Sequence, residues 1–252
     1  MDNKHEPYFR KNPADRGLVV FIHGFMGSPN QFDEWSDAAQ QHGYSTAALL
    51  LPGHGSTAKV FGAGTFERWQ GHVNTEVEAF SRDYDNILLA GHSMGGLLAI
   101  NAAVGCVGFV RGILTIACPF KLNFFTADVL KTRFKQLLSK KDDPIKATYL
   151  STCSIQQSPS LIWHIIRPKA ELEKLMATAH DNLPNVSVPV TAVYSSSDEL
   201  TSIESLGILY SGLTGATFEQ VLLSYSLHSY FTQDESELIK QALWKLMSRG
   251  HS

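Results

Sequence analysis

Residues 87–100 read ILLAGHSMGGLLAI, and they give the clearest indication of the type of fold. A short apolar run, 87–90, leads directly into the motif Gly-x-Ser-x-Gly around Ser93, and a small apolar stretch with helical pattern, 94–104, follows at once. A strand, a sharp turn that carries a serine, and a helix form the nucleophile elbow, in which the glycines relieve crowding around a strained turn. The stretch therefore predicts Ser93 as a nucleophile at the end of a strand.

Five more short apolar runs accompany the one before Ser93. They cover residues 18–22, 47–51, 113–117, 188–194 and 218–223. Continuous rather than alternating apolar runs are typical of strands that are buried on both faces of a parallel sheet. Helical patterns lie between them, at 28–41, 65–84, 202–213 and 235–247. This alternation predicts an α/β fold, in which helices flank a mostly parallel central sheet.

The alternation is interrupted between residues 121 and 183. This stretch is too long for an ordinary connection, and it carries a helical pattern of its own. It predicts an inserted subdomain, 121–183, in a core that is formed by residues 1–120 and 184–252.

Composition excludes several classes of protein. A chain of 252 residues with 44% hydrophobic and 18% charged residues fits a packed globular domain rather than a disordered chain. The net charge of −3 gives no basic footprint for nucleic acid. No apolar run is long enough for a transmembrane span, and the charged first twenty residues do not resemble a secretory signal. The three cysteines form no Cys-x-x-Cys pair, which favours free thiols in a reducing compartment. The expected location is cytoplasmic.

A nucleophilic serine needs an imidazole base, and the base needs a carboxylate to orient it. Behind an elbow of this kind the acid precedes the histidine in the chain. Asp198 directly follows the predicted strand 188–194, although Glu199 and Glu204 lie close enough to compete for the role. His228 follows the last predicted strand and precedes the last helix. We therefore expect Ser93, Asp198 and His228 to form a catalytic triad.

Two backbone amides are expected to form an oxyanion hole, which stabilises the charge that develops on the substrate oxygen. One belongs to Met94, directly after the nucleophile, and the other to Phe25 in the loop after the first core strand. The side chain of Phe25 is then expected to form a wall of the substrate pocket. Two other histidines, His23 and His54, are expected to brace their loops, whereas His92 is expected to point away from the reacting side.

Together with the Pro-Gly-His-Gly turn at 52–55, these motifs resemble the α/β-hydrolase superfamily, and within it the small bacterial carboxylesterases and monoacylglycerol lipases. The resemblance covers nearly the whole chain. It implies an α/β-hydrolase fold whose small helical cap is inserted after strand 6 and supplies an apolar tunnel for an acyl chain. The side chains suited to line that tunnel are Leu161, Ile162, Trp163, Ile165 and Ile166. The sequence departs from the family where Glu199-Leu200 follows Asp198 in place of the usual acidic-polar-proline turn.

The expected function is the hydrolysis of carboxylic esters, either short to medium acyl esters or monoacylglycerols, through an acyl-enzyme and without a cofactor. A lactonase, an amidase or a carbon–carbon hydrolase would use the same triad, since the fold supports many chemistries. A binding protein without turnover is the alternative outside enzymes, and the intact triad argues against it. The chain has no Gly-x-Gly-x-x-Gly motif for a dinucleotide and no His-Glu-x-x-His motif or paired Cys/His spacing for zinc, so we expect no metal. The expected partner is a small-molecule ester and not nucleic acid, and the oligomeric state stays open.

Overall fold

A computed structural model describes residues 5–106, 108–123, 143–155 and 161–249. Seven strands of these residues form one sheet: β1 (Tyr8–Arg10), β2 (Leu18–Ile22), β3 (Ser45–Leu49), β4 (Ile87–His92), β5 (Val110–Ile116), β6 (Val190–Ser195) and β7 (Phe218–Leu223). Their order across the sheet is β1-β3-β2-β4-β5-β6-β7. The edge strand β1 is antiparallel to β3, and every other pair is parallel. The sheet is therefore mostly parallel, as the apolar runs predict.

The described residues form nine α-helices. They are α1 (Asp33–Gln41), α2 (Ala58–Phe61), α3 (Phe66–Phe80), α4 (Met94–Gly105), α5 (Pro144–Thr152), α6 (Leu161–His164), α7 (Ile166–Asn182), α8 (Glu204–Gly212) and α9 (Gln233–Arg249). A turn of 3₁₀ helix, Pro29–Phe32, leads into α1, and Ser28 caps it by accepting a hydrogen bond from the amide of Asn30.

Helices cover both faces of the sheet. On one face α3, α4, α7 and α8 pack around a large apolar cluster that includes Trp69, Leu97 and Leu175. On the other face α1 and α9 pack around a second cluster that includes Trp35 and Leu243. The central strands β2 and β4 are buried along their whole length, because both faces of the sheet are covered. This burial fixes the carboxyl ends of the parallel strands, where the predicted site residues lie.

The predicted strands and helices differ from the observed ones mainly at their ends. The run 47–51 becomes β3 (Ser45–Leu49), and the run 188–194 becomes β6 (Val190–Ser195). The strand β1 was not predicted. It is three residues long and includes the charged Arg10, so no apolar run marks it.

The long insertion follows β5, the fifth strand in chain order, rather than the sixth. The reason is that, among the described residues, only one strand, β1, precedes β2. Of the predicted cap 121–183, residues 124–142 and 156–160 lie outside the described residues. The inner face of α7 packs into the core, where Leu172, Leu175 and Ala179 belong to the same apolar cluster as α4. Helix α7, the last helix of the insertion, is therefore packed as part of the core.

Within the described residues, no helix is both long enough and apolar enough to cross a membrane.

Candidate active site

Ser93 lies on a strained turn between β4 and α4. Its backbone has φ +53° and ψ −123°, a region that residues other than glycine rarely adopt. The flanking glycines make room for the turn: a Cβ at Gly95 would lie 1.9 Å from the carbonyl oxygen of Ile22, and a Cβ at Gly91 would lie 2.2 Å from that of Gly95. Side chains at these two positions would break the turn, so the elbow needs both glycines.

His228 lies between Ser93 and Asp198. The distance from His228 Nε2 to Ser93 Oγ is 3.0 Å, and the distance from His228 Nδ1 to Asp198 Oδ2 is 2.9 Å. Because a carboxylate only accepts hydrogen bonds, Nδ1 carries the proton and Nε2 is left to accept the hydroxyl proton of Ser93. The structure thus brings together the three residues that the sequence predicts as a triad.

The carboxylate of Asp198 is almost fully buried, with 4% of the side chain exposed. Its Oδ1 accepts hydrogen bonds from the amides of Leu200 and Thr201, both at 2.8 Å. Burial opposes the charge, but His228 and the two amides together hold the pKa of Asp198 below its usual value. Asp198 is therefore ionised and able to orient the imidazole at neutral pH.

Glu199 and Glu204, the two other carboxylates near Asp198 in sequence, do not contact the imidazole. Glu199 Oε2 accepts a hydrogen bond from the backbone amide of His228 at 2.9 Å. Glu204 forms an exposed ion pair with Lys121. The geometry therefore singles out Asp198 among the three acids.

A fourth carboxylate, Glu235, holds the start of the loop that carries His228. It accepts hydrogen bonds from the amide of Ser224 at 2.6 Å and from the amide of Ser226 at 2.7 Å, and from the hydroxyl of Ser226. Glu235 is 6% exposed. The sequence does not mark Glu235 as a site residue, because an acid in the first turn of a helix is an ordinary helix start signal.

Of the two predicted oxyanion amides, that of Met94 directly follows Ser93 in the chain. That of Phe25 follows Gly24, where an added Cβ would lie 2.8 Å from the Cβ of Ser93. Among the described residues, neither amide donates a hydrogen bond to another group of the protein. Met94 begins α4, where helix geometry leaves the first amides free. The loop that carries Phe25 is closed by a hydrogen bond from the amide of Gly27 to the carbonyl oxygen of Gly24 at 2.9 Å.

His23 braces its loop, as predicted, and the ring of His54 packs against it, with 4.7 Å between the ring centroids. His23 Nδ1 lies 2.9 Å from the carbonyl oxygen of Gly24, and its Nε2 accepts a hydrogen bond from the amide of Leu51 at 3.0 Å. Burial, followed by the neighbouring His54, lowers the pKa of His23 well below its usual value. Burial also lowers the pKa of His54, to about 4. Both rings are neutral at pH 7 and join the loop after β2 to the loop after β3.

His92 does not point away from the site, contrary to the sequence-based expectation. Its ring lies 5.0 Å from the ring of His228, and its Nε2 donates a hydrogen bond to the carbonyl oxygen of His228 at 2.8 Å. The cause is the alternation along β4: Leu88 and Ala90 face the α1 and α9 layer, and His92 continues that face beneath the His228 loop. Burial and then His228 lower the pKa of His92 to about 3, so its ring is neutral.

A cavity of about 250 Å³ opens above Ser93. Its walls are mostly apolar and come from both the core and the insertion; they include Phe25, Met26, Leu122, Tyr149, Cys153, Ile165, Leu172 and Leu200. Phe25 is a wall of this cavity, as predicted, and its ring packs edge-on against Phe61. A cavity with apolar walls and few polar groups suits a hydrophobic ligand.

Four of the predicted tunnel residues are not among the residues that line this cavity. Ile162, Trp163 and Ile166 are 66%, 75% and 60% exposed. Leu161 packs on a small cluster of Ala58, Phe61 and Ile155 instead. Only Ile165 of the predicted set faces the cavity, since neighbouring positions on a helical segment point to different sides.

Within the described residues, no group of three His, Cys, Asp or Glu side chains is arranged to hold a metal ion.

Comparisons with known proteins agree with this fold. The family described as "Serine aminopeptidase, S33" matches residues 13–235. A thermostable monoacylglycerol lipase from a Bacillus species is 24% identical and covers 94% of this chain and 92% of its own length. Two solved structures superpose with a TM-score of 0.74. One, from a study of the metagenome-derived lipolytic enzymes LipS and LipT, is 22% identical and covers 97% of this chain and 98% of its own. The other, a soluble variant of monoglyceride lipase from Saccharomyces cerevisiae, is 16% identical and covers 97% and 91%. These likenesses show the α/β-hydrolase fold that the motifs indicate.

Proposed function

The chain belongs to the serine aminopeptidase, S33, family, and on that premise we propose that it is a serine hydrolase that cleaves carboxylic esters through an acyl-enzyme. The observation that carries the proposal is the series of hydrogen bonds from Ser93 through His228 to Asp198, with distances of 3.0 Å and 2.9 Å. A serine, a neutral imidazole and a buried carboxylate in this order are the parts that make a hydroxyl nucleophilic at neutral pH.

In the first half of the reaction Ser93 Oγ attacks the ester carbonyl carbon, and its proton passes to His228 Nε2. The oxyanion that forms is stabilised by the free amides of Phe25 and Met94, which we assign as the oxyanion hole. Collapse of the tetrahedral intermediate breaks the bond to the alcohol oxygen, which takes the proton from Nε2 and leaves. Asp198 stabilises the imidazolium that exists between these two proton transfers.

In the second half water attacks the acyl group on Ser93 and gives one proton to His228 Nε2. Collapse breaks the bond between the acyl carbon and Ser93 Oγ, which recovers that proton, and the carboxylic acid is released. The two halves together return the chain to its starting state, so Ser93 and His228 account for every proton transfer without a cofactor.

We propose acyl esters of short to medium length, or monoacylglycerols, as the substrate class. The apolar cavity above Ser93 supports an acyl chain as the ligand. The family description names an aminopeptidase, but such an enzyme must bind a positively charged amino terminus. Among the described residues that line the cavity none is an aspartate or a glutamate. The lining therefore favours an ester over a peptide with a free amino terminus.

We also propose that the chain is divided into a core, 1–120 and 184–252, and a cap, 121–183. Its support is that Leu122, Tyr149 and Ile165 of the insertion share the cavity wall with Phe25 of the core. In this scheme α7 fastens the cap to the core. A cytoplasmic location is also proposed, supported by the free thiols of the two buried cysteines, Cys106 and Cys118.

Hydrolysis of a series of p-nitrophenyl acyl esters and of amino-acid p-nitroanilides tests the proposal. We expect turnover of the esters, little of the anilides, and loss of at least about 10³-fold in kcat for Ser93→Ala. Ser81→Ala, at the exposed end of α3, is the matched control and keeps full activity. Ester turnover that survives in Ser93→Ala, or a clear preference for the anilides, would refute the assignment.

A further inference from the structure

Two neighbouring carboxylates bind the same histidine. Asp198 holds the ring of His228 through Nδ1, and Glu199 Oε2 accepts the backbone N–H of His228 at 2.9 Å. The two contacts have different effects. The Asp198 contact fixes the tautomer and tilt of the ring, whereas the Glu199 contact fixes the backbone from which the ring extends.

The turn that presents these carboxylates is itself tightly bonded. Asp198 Oδ1 accepts the amides of Leu200 and Thr201, and the hydroxyl of Ser195 at the end of β6 donates to the carbonyl oxygen of Ser226 at 2.6 Å. The hydroxyl of Ser197 also donates to the carbonyl oxygen of Ser224 at 2.6 Å, so the acid turn and the histidine loop are joined at several points besides the ring. Of these contacts, the one that Glu199 forms is made with the backbone of His228 itself.

The pair Glu199-Leu200 is also where this sequence departs from the acidic-polar-proline turn of the proteins it resembles. A side chain shorter than glutamate would not bridge from this turn to the opposite loop in the same way. The partly buried Glu199 lines a small pocket together with Ser229 and Tyr230 of the histidine loop and Tyr149 of α5. It thus sits where the cap, the acid turn and the histidine loop meet.

We infer that Glu199 is a positioning residue, whose carboxylate holds the backbone of His228 so that Nε2 stays within reach of Ser93 Oγ. The inference rests on the proposed function, because it concerns the same proton transfer. Displacement of a catalytic group by about 1 Å can cost about 10²-fold in rate. Loss of the Glu199 contact therefore lowers kcat and leaves KM nearly unchanged, since Glu199 is not part of the substrate cavity.

The test compares Glu199→Ala and Glu199→Gln in the full chain. We expect kcat for p-nitrophenyl butyrate to fall about 10- to 100-fold in Glu199→Ala with KM within about twofold. We expect Glu199→Gln to recover activity to within about threefold, because the amide oxygen of Gln still accepts the His228 N–H. Glu237→Ala removes an exposed carboxylate of α9 and is the matched control for the change in charge.

A second readout separates this inference from the proposed function. The rate at which a fluorophosphonate labels Ser93 depends on His228 and not on ester specificity, so we expect it to fall in Glu199→Ala in parallel with kcat. A wild-type chain that is labelled but hydrolyses no ester would overturn the proposed function alone. Wild-type kcat and labelling rate in Glu199→Ala would overturn the inference alone.

Folding is monitored by thermal unfolding of each variant. If Glu199→Ala does not fold, Glu199→Met keeps the side-chain stem and removes the acceptor oxygens, and the same fall in kcat is expected. Activity lost only in proportion to the unfolded fraction, or equally in the Gln variant, would contradict a positioning role.

Discussion

At the scale of single residues, the nucleophile depends on backbone strain. Ser93 is held at φ +53° because β4 enters the turn and α4 leaves it within a few residues, and the close backbone packing of Gly91 and Gly95 fixes that path. Strain of this kind persists only where the surrounding structure enforces it. The helices on both sides of the sheet supply that enforcement.

The first prediction concerns Gly95, two residues after the nucleophile. Gly95→Ala places a Cβ 1.9 Å from the carbonyl oxygen of Ile22, so β2 or α4 must move. We expect the free energy of unfolding, measured in urea, to fall by about 3 kcal/mol or more, together with loss of activity. Gly71→Ala in α3, where no atom lies within 4 Å of the new Cβ, is the control and is expected to gain about 1 kcal/mol. Equal stability of the two variants would contradict the packing described here.

The sequence predicts the residues of this site that belong to a motif, but not those whose place depends on a tertiary contact. Ser93, Asp198 and His228 followed from a motif and a fixed chain order, and the structure brings them together. His92 was placed on the wrong side, because nothing in the motif says which loop crosses above β4. The tertiary contact, and not the local sequence, decided that position.

At the scale of secondary-structure elements, the loop between β7 and α9 is held by acids from two directions. Glu199 comes from the turn after β6, and Glu235 comes from the first turn of α9. The amino-terminal end of a helix favours a negative charge, and Glu235 supplies one while it also accepts the loop amides. The helix and the loop that carries His228 are thus joined as one unit.

The variant Glu235→Gln tests whether the Glu235 carboxylate joins α9 to the loop that carries His228. Burial opposes the charge of Glu235, but the hydroxyl of Ser226 and the amides of residues 224–226 hold its pKa below the usual value. A lowered pKa stabilises the fold above the unfolded-state pKa of about 4.3, and this stabilisation is lost as the pH falls through the lower folded-state pKa. At pH 7 we expect the variant to lose about 1–3 kcal/mol in free energy of unfolding and part of its kcat.

The pH dependence is the sharper check of that prediction. In urea unfolding, the difference in free energy of unfolding between wild type and Glu235→Gln should be nearly constant from pH 7 to about pH 5. This difference should become smaller below about pH 4. Glu237→Gln, two residues further along α9 and exposed, should show almost no gap at either pH. A gap that widens in acid would mean that the Glu235 carboxylate does not stabilise the loop.

Elements were predicted best where packing repeats a simple pattern. The buried central strands appeared in the sequence as apolar runs within a few residues of their true ends, as with 87–90 and β4. The residues of the insertion that line the cavity are harder to predict. An apolar residue on a short helix can face the core or a ligand, while its neighbours in the sequence face solvent. Ile165 lines the cavity and Ile166, the next residue, is 60% exposed, a difference that only the packing of α7 on the core determines.

At the scale of the whole molecule, the cavity lies where two parts of the chain meet. The core supplies Ser93, Phe25 and the loop of His228, and the insertion supplies Ile165 and Leu172 opposite them. Part of the cavity wall is therefore formed by residues that take no part in the proposed chemistry. Substrate length and catalysis should respond to different substitutions.

Ile165→Trp tests that separation. The larger side chain fills part of the 250 Å³ cavity, so we expect the preferred p-nitrophenyl ester to shift toward shorter chains, across a series from acetate to palmitate. Ile166→Trp adds the same bulk at an exposed neighbouring position and should leave the profile as in wild type. A profile that shifts equally in both variants, or in neither, would place the acyl chain elsewhere.

The most direct test of the central claim, that His228 and Asp198 make Ser93 a nucleophile, is mass spectrometry of the intact chain after reaction with a fluorophosphonate at pH 7. We predict one adduct per chain, mapped to Ser93 by peptide digestion, and none in Ser93→Ala. An unmodified wild-type chain, or an adduct at any other residue, would contradict the claim.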